Sequence, residues 1–473
     1  MDLAEALLTI DLLRGHIDAL EVQLAARDAT LQQQTNEIIL LRFELERLTR
    51  FKFGDSSERL TPEELVLPGV DLTARNDNAE VPAPEPVQKK KRKRSKRKRI
   101  GVEFHAWDGR FEGLRSHVLG LFAAAIALPS EFDFVFFLQD PQGLARAHPE
   151  FHAAHVQLVQ APGWHGLLRT MFELPYLRHR HSIDLLHTQY RIPLFPMGPV
   201  ACTIHDTLFE THPQHFGAYF TAQAKLTFRH AARHSELLFT VSEFSRRELS
   251  RCYEVPAHRI LLTPNGVAAQ RFHPGSAGQA QLAPLGLSSR GYLLTVGRLE
   301  PRKNHATLLR AYAQLGMDAP PLVIVGQAQQ RGYKESLERC ALSLGVANKV
   351  RFLDAVDDNV LPILMRHALC FIYPSFAEGF GMPVLEAMAS GVPVIASATS
   401  ALPEVTGGAA LLIDPGSCSE LLQAMQQLLG SEAERVALGQ SGLIQAARFS
   451  WKTSAQGLLA GYRKFFHLPR DPR

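Results

Sequence analysis

Cysteine is scarce in this chain: five in 473 residues, and no two of Cys202, Cys252, Cys340, Cys370 and Cys418 form a C-x-x-C pair. That scatter argues against a disulfide framework or a zinc site and fits a reducing compartment. No apolar run reaches the ~18 residues a membrane span needs. The longest, 118–129, reads as a buried helix. The first residues lack the basic-then-apolar order of a secretion signal, so a cytoplasmic location is expected. No D-x-D occurs either, which leaves a metal clamped between paired aspartates and a diphosphate without support.

At 46% hydrophobic and 21% charged residues, most of the chain is ordinary globular protein, and its length calls for two or more domains. The net charge of +4 is unevenly placed. Residues 89–99 read KKKRKRSKRKR, and without those ten cations the remainder falls from +4 to −6. Three readings of the run stay open: nucleic-acid phosphates bound by counterion release, anionic lipid headgroups, or a solvated linker. No aromatic residue interleaves it, which disfavours base stacking.

Leu3, Ile10, Ile17, Leu24, Leu31, Ile38 and Leu45 recur every seven residues, and Leu13, Leu20, Leu41 and Leu48 fill the second seam. An aliphatic heptad sustained this long predicts a coiled-coil helix over 1–50, able to self-associate, with Arg27 and Gln34 interrupting the seam. Residues 51–98 then form a linker that holds FGDSSERL at 53–60, a proline-rich stretch and most of the basic run. Residues 8–60 resemble the leucine-zipper leader of insertion-sequence transposases. The spaced acidic residues of a transposase catalytic domain do not follow, so the resemblance implies a fused reading frame.

From Arg99 onward short apolar runs alternate with helical patterns, which predicts parallel sheets with crossover helices. Strands are expected at 99–104, 132–138, 156–159, 185–187, 200–204 and 237–241, and then at 292–296, 321–325 and 350–353. Between the first strand and a helix near Leu114 stand Gly109 and Gly113, where backbone can approach a phosphate. His205-Asp206 ends the 200–204 strand, and strand carboxyl ends carry ligands in such sheets. Arg298 and Lys303, five apart across a turn, are fixed cations suited to a developing negative charge. Arg178, His179, Arg180 and His181 cluster as well. They suit an anionic membrane, a lipid diphosphate, or equally a solvated helix end.

The most informative stretch is 371–397, FIYPSFAEGFGMPVLEAMASGVPVIAS. A strand at 370–373 runs into Glu378-Gly379-Phe380-Gly381, and Pro383 opens a helix that carries Glu386 and stops at Gly391. Backbone N–H groups at a helix start favour phosphate, and carboxylates beside them accept sugar hydroxyls. Together they suit a nucleotide sugar, although an ordinary strand–helix junction has the same spacing.

This segment resembles the donor-site signature of the retaining glycosyltransferases of family 4, and further motifs in order extend the resemblance over roughly 99–465. It implies an α/β fold of two facing Rossmann-like domains, the GT-B fold: an acceptor domain over 99–275, a nucleotide-sugar domain over 276–450, and a helix at 451–473 returning to the first. It also implies that Arg298 and Lys303 hold the diphosphate and that Glu378 meets the donor sugar. Glu386 would meet the ribose, and His205 and Asp206 would stand at the reacting centre. Gly113, Gly379, Phe380 and Gly381 would border the donor. Thr399 to Glu404 would close the second sheet. The expected reaction is metal-independent hexose transfer, weakly favouring mannose from GDP-mannose, to a glycan or lipid-linked acceptor in cell-surface polysaccharide synthesis. No cofactor beyond the donor is expected, with peripheral membrane contact and no nucleic acid at the enzyme body. The competing expectation is a DNA-associated coiled-coil protein with an inactive glycosyltransferase-like body.

Overall fold

Short runs of β-branched and aromatic residues become strands in the computed structural model, which describes residues 97–107, 112–164, 166–328, 330, 332–354 and 356–467. The heptads, the FGDSSERL leader and all of the basic run before Arg97 lie outside the described residues. Among the described residues no helix is long and apolar enough to cross a membrane.

Seven parallel strands build the first sheet: β1 (Lys98–Glu103), β2 (Phe132–Leu138), β3 (Val156–Gln160), β4 (Leu185–Gln189), β5 (Val200–Thr203), β6 (Leu237–Thr240) and β7 (Ile260–Leu262). They run in the order β3-β2-β1-β4-β5-β6-β7. Six more, also parallel, build the second: β8 (Leu293–Val296), β9 (Leu322–Val325), β10 (Val350–Leu353), β11 (Cys370–Tyr373), β12 (Val394–Ser397) and β13 (Leu411–Ile413), ordered β10-β9-β8-β11-β12-β13. Both sheets are covered by helices, so most strands read as unbroken apolar runs, such as FDFVFFL in β2 and LVIV in β9. The strand order reverses between β1 and β4 in one sheet and between β8 and β11 in the other. Ligands of doubly wound sheets bind beyond the strand ends at such reversals.

Two expectations need correction. Thr399 to Glu404 does not close the second sheet. It is a turn leading into the short helix Leu402–Thr406, and β13 forms the edge. Pro403 cannot donate to a strand ladder but fits the first turn of a helix. The 178–181 cluster is likewise not one cationic group. Arg178 turns inward and donates to the carbonyls of Pro199 (2.6 Å) and Asp184 (3.2 Å). His179 and Arg180 stay exposed.

The helix Trp451–His467 follows the second sheet in sequence but packs on the first. Leu458, Leu459 and Tyr462 share a core with Ile100, Phe122 and Phe239.

Candidate active site

At the end of β8 the chain turns through Gly297 and Arg298 into a 3-10 turn, Pro301–Lys303. This places Arg302 and Lys303 beside the loop that leaves β11. Lys303 Nζ lies 2.7 Å from Glu378 Oε1 and donates to the Tyr373 hydroxyl at 2.6 Å. Arg302 Nη1 is 3.1 Å from the same Glu378 oxygen, and its Nη2 is 2.6 Å from Glu300 Oε1. Ser375 donates to Glu378 Oε1 as well, at 2.6 Å. Asn304, buried in a left-handed backbone conformation, ties the two loops together: its amide donates to Pro374 O at 3.0 Å and to Pro415 O at 2.7 Å.

Burial by itself would raise the Glu378 carboxyl, but Arg302, Lys303 and the Ser375 hydroxyl outweigh it and hold the pKa down at about 2. Burial pulls the Lys303 ammonium below its usual range, and Glu378 opposes that shift. Two carboxylates thus face two largely buried cations, and half-buried Arg298 precedes them in the same turn. A nucleoside diphosphate entering here meets guanidinium and ammonium groups that are already oriented, which is what stabilising a leaving phosphate requires.

The first sheet supplies the opposite wall. His205, at the end of β5, has Nε2 2.9 Å from Gln189 Oε1. The His117 ring stands edge-on to it at 4.5 Å, and the Tyr190 ring packs at 5.0 Å. Burial, with His117 and His187 nearby, holds His205 well below the usual histidine range, so the ring is neutral at pH 7. Asp206 is half-buried; burial raises its pKa, opposed by the Leu208 N–H that it accepts at 3.2 Å. Behind His205, Glu103 ends β1, pairs with Arg169 at 3.0 Å and accepts the Gln189 N–H at 3.2 Å. Burial would raise this carboxyl too, but His105, Arg169 and the Gln189 N–H hold it at about 2.

The two walls touch at Gly379. A Cβ there would stand 2.7 Å from Asp206 Cβ and 2.9 Å from the His205 carbonyl. Ser242 and Ser245 donate their hydroxyls to the Gly379 carbonyl at 2.7 and 3.2 Å. From the second half, the Glu404 carboxylate accepts the N–H groups of Glu243 (2.8 Å) and Phe244 (3.0 Å). These are orphan donors at the start of the helix Glu243–Tyr253, so the carboxylate also meets the positive end of its dipole. Glu404→Ala is expected to loosen this contact and lower turnover about tenfold, with donor binding and fold retained. Full turnover in the variant would show that the contact does not hold the halves together.

The structure therefore brings His205, Asp206, Arg302, Lys303, Glu378 and Gly379 into one cleft. Arg298 belongs with them electrostatically: Tyr190, raised by burial and by Asp206, is pulled the other way by Arg298 and Arg302. Glu386 lies half-buried on the helix Met382–Ala389, for which Gly381 (φ +101°) is the N-cap. Phe380 is different. Its ring is core, edge-on to Phe449, which leaves its backbone for any ligand. Gly113 lies in the first turn of the helix Glu112–Ala127, exposed, and a methyl added there would meet no atom within 4 Å. Sequence reasoning passed over Tyr190 and singled out Arg298 and Lys303 rather than Arg302. The signal for Arg302 was present, since it is adjacent to Lys303. Tyr190 had none, because its left-handed backbone (φ +63°) and its neighbours are tertiary facts. Among the described residues, no group of three or more His, Cys, Asp or Glu side chains is placed to hold a metal ion.

Residues 111–271 match the family model described as Glycosyltransferase Family 4, and residues 283–444 that of Glycosyl transferases group 1. The chain is 34% identical to O-antigen chain mannosyltransferase B of Escherichia coli, over 55% of this chain and 69% of that protein. It is 29% identical to the GDP-mannose-dependent alpha-(1-6)-phosphatidylinositol monomannoside mannosyltransferase of Mycobacterium tuberculosis, over 74% of this chain and 90% of that one. It spans about half the length of several other curated relatives. The solved structure of Anabaena Alr3699/HepE in complex with UDP and glucose aligns with a TM-score of 0.63 at 20% identity, over 78% of this chain and all of that one. That likeness is one of fold, and the fold is GT-B. Because the sequence matches run through both sheets and both walls of the cleft, the chain belongs to the family 4 glycosyltransferases and is a hexosyltransferase.

Proposed function

We propose that the enzyme transfers mannose from GDP-mannose, with retention of configuration and without a divalent metal, to a glycan or lipid-linked acceptor. The setting is cell-surface polysaccharide or lipopolysaccharide synthesis on the cytoplasmic side of the membrane. The observation that carries this reading is the cluster of Arg302, Lys303 and buried Glu378 closed against His205 and Asp206. Both the Escherichia coli and the Mycobacterium tuberculosis relative are named mannosyltransferases, and the latter is named GDP-mannose-dependent, which supports the sugar and the donor.

In this reading Arg298, Arg302 and Lys303 neutralise the diphosphate as the bond from anomeric carbon to phosphate oxygen breaks. Glu378 accepts hydroxyls of the donor sugar and Glu386 those of the ribose. Gly113 and the backbone of Gly379, Phe380 and Gly381 border the donor. Neutral His205 hydrogen-bonds the sugar, and Asp206 orients the incoming hydroxyl. The acceptor attacks on the face the phosphate leaves, and its proton passes to the departing phosphate oxygen. Nucleic acid has no part at the enzyme body.

Nucleotide release from GDP-, UDP-, ADP- and dTDP-sugars tests this directly. GDP-mannose is expected to be turned over, and Glu386→Ala to raise its KM at least about tenfold through a lost hydrogen bond to a charged group. Turnover of another donor would reassign base and sugar, and turnover of none would defeat the reading.

A further inference from the structure

Among the described residues the exposed large apolar side chains are unevenly distributed: nine of fourteen lie between Leu168 and Leu226. Three segments of the first domain carry them. The helical segment 166–180 turns Phe172 and Tyr176 outward. The loop 191–198, which leaves β4, exposes Leu194, Phe195 (70%) and Met197. The helix Ala218–His234 buries Ala224, Phe228 and Ala231 and turns Tyr219 (82%) and Leu226 (74%) to the outside.

The three segments are neighbours. The Leu194 N–H donates to Met171 Sδ at 3.5 Å. Arg191 Nε donates to Thr227 Oγ1 at 3.1 Å, and its guanidinium lies 5.5 Å from the centre of the Phe228 ring. The loop thus bridges the two helical segments. It begins directly after Tyr190, whose ring packs on His205, so the patch starts at the rim of the cleft.

The exposed charge carried by these segments has one sign. Arg180, Lys225, Arg229 and Arg233 are exposed, while the single carboxylate, Glu173, is buried. Glu210 and Glu254 approach from outside the segments and pair with Lys225 (3.2 Å) and Arg229 (3.6 Å); Glu254 also pairs with Arg233. Aromatic and aliphatic tips standing among arginines, with no exposed acid on the same segments, match the level of anionic headgroups, where rings sit at the interface and cations at the phosphates.

We propose that this face docks on an anionic lipid bilayer and sets the mouth of the cleft at the membrane surface. That the acceptor waits there rests on the lipid-linked reading above; the docking itself does not.

The test uses the full chain and its Phe195→Ser/Leu226→Ser double variant. Both are spun with phosphatidylcholine vesicles and with phosphatidylcholine–phosphatidylglycerol vesicles. Wild type is expected on the anionic vesicles only, with the variant bound at least about tenfold more weakly. Donor turnover in vesicle-free solution should be equal in both proteins, because both residues are exposed and neither is among the cleft residues named above. Equal vesicle binding by variant and wild type would assign the membrane contact elsewhere, the intact basic run included, and overturn the proposal. So would wild type that binds no vesicle, or a variant whose change is from dimer to monomer, since the patch would then cover a second copy. Failure of donor turnover in both proteins would defeat the mannosyl reading and leave the vesicle result to decide docking.

Discussion

Gly379→Ala is expected to lower kcat/KM for sugar transfer by about 10²-fold while moving Tm by no more than a few degrees. The added methyl would stand 2.7 Å from Asp206 Cβ and 2.9 Å from the His205 carbonyl, both on the opposite wall. Neither contact is with the end of a flexible side chain. The strain is relieved only by drawing the halves apart, which carries Glu378 and its cations away from His205. A displacement of roughly 1 Å between reacting groups is enough for a loss of this size. Steady-state kinetics beside a thermal melt checks it, and near-normal kcat/KM would show that the cleft works at a wider spacing.

Glu378→Gln keeps the shape of the side chain and removes its charge. Turnover is expected to fall about 10³-fold, because the group that orients Arg302 and Lys303, and that accepts the sugar hydroxyls in the proposed reaction, becomes a neutral amide. Stability should fall too. The Glu378 carboxyl is held at about 2 against an ordinary 4.5, and that difference corresponds to about 3 kcal/mol. The folded-state pKa is depressed, so this stability is fully present above pH 4.5 and is lost as pH falls toward 2. Urea melts of both proteins from pH 7 downward should show the gap constant to about pH 4.5 and narrowing below it. A gap that does not narrow in acid would mean that the loss at pH 7 comes from packing and not from the ion pair.

Much of the cleft was legible in the sequence because its parts are local. Cys370 to Tyr373 form β11, and the helix at Met382–Ala389 starts where Pro383 allows it. Arg298 and Lys303 were recognisable because a short turn carries both, and His205-Asp206 because the pair ends a strand. The misreadings have local causes as well. Thr399 and Ser400 look like a strand's end, but Pro403 and the left-handed Gly407 bound a helix there. Arg178 sits in a basic cluster, yet a carbonyl of a loop twenty-one residues away takes its charge inward.

Side-chain period, proline and glycine placement and apolar runs act within a few residues. By themselves they determined the two parallel sheets, the helices between them, and which loops carry charge. What meets what across the cleft is set by packing between segments far apart in sequence. Ser242 reaches Gly379, Glu404 caps the helix Glu243–Tyr253, and Arg302 shares Glu378 with Lys303. No local pattern encodes such contacts, since each exists only once both sheets have buried their faces. The exposed face around Phe195 and Leu226 is tertiary for the same reason. An apolar residue in a helix or loop reads as core until the fold has used its buried positions and left that one outside.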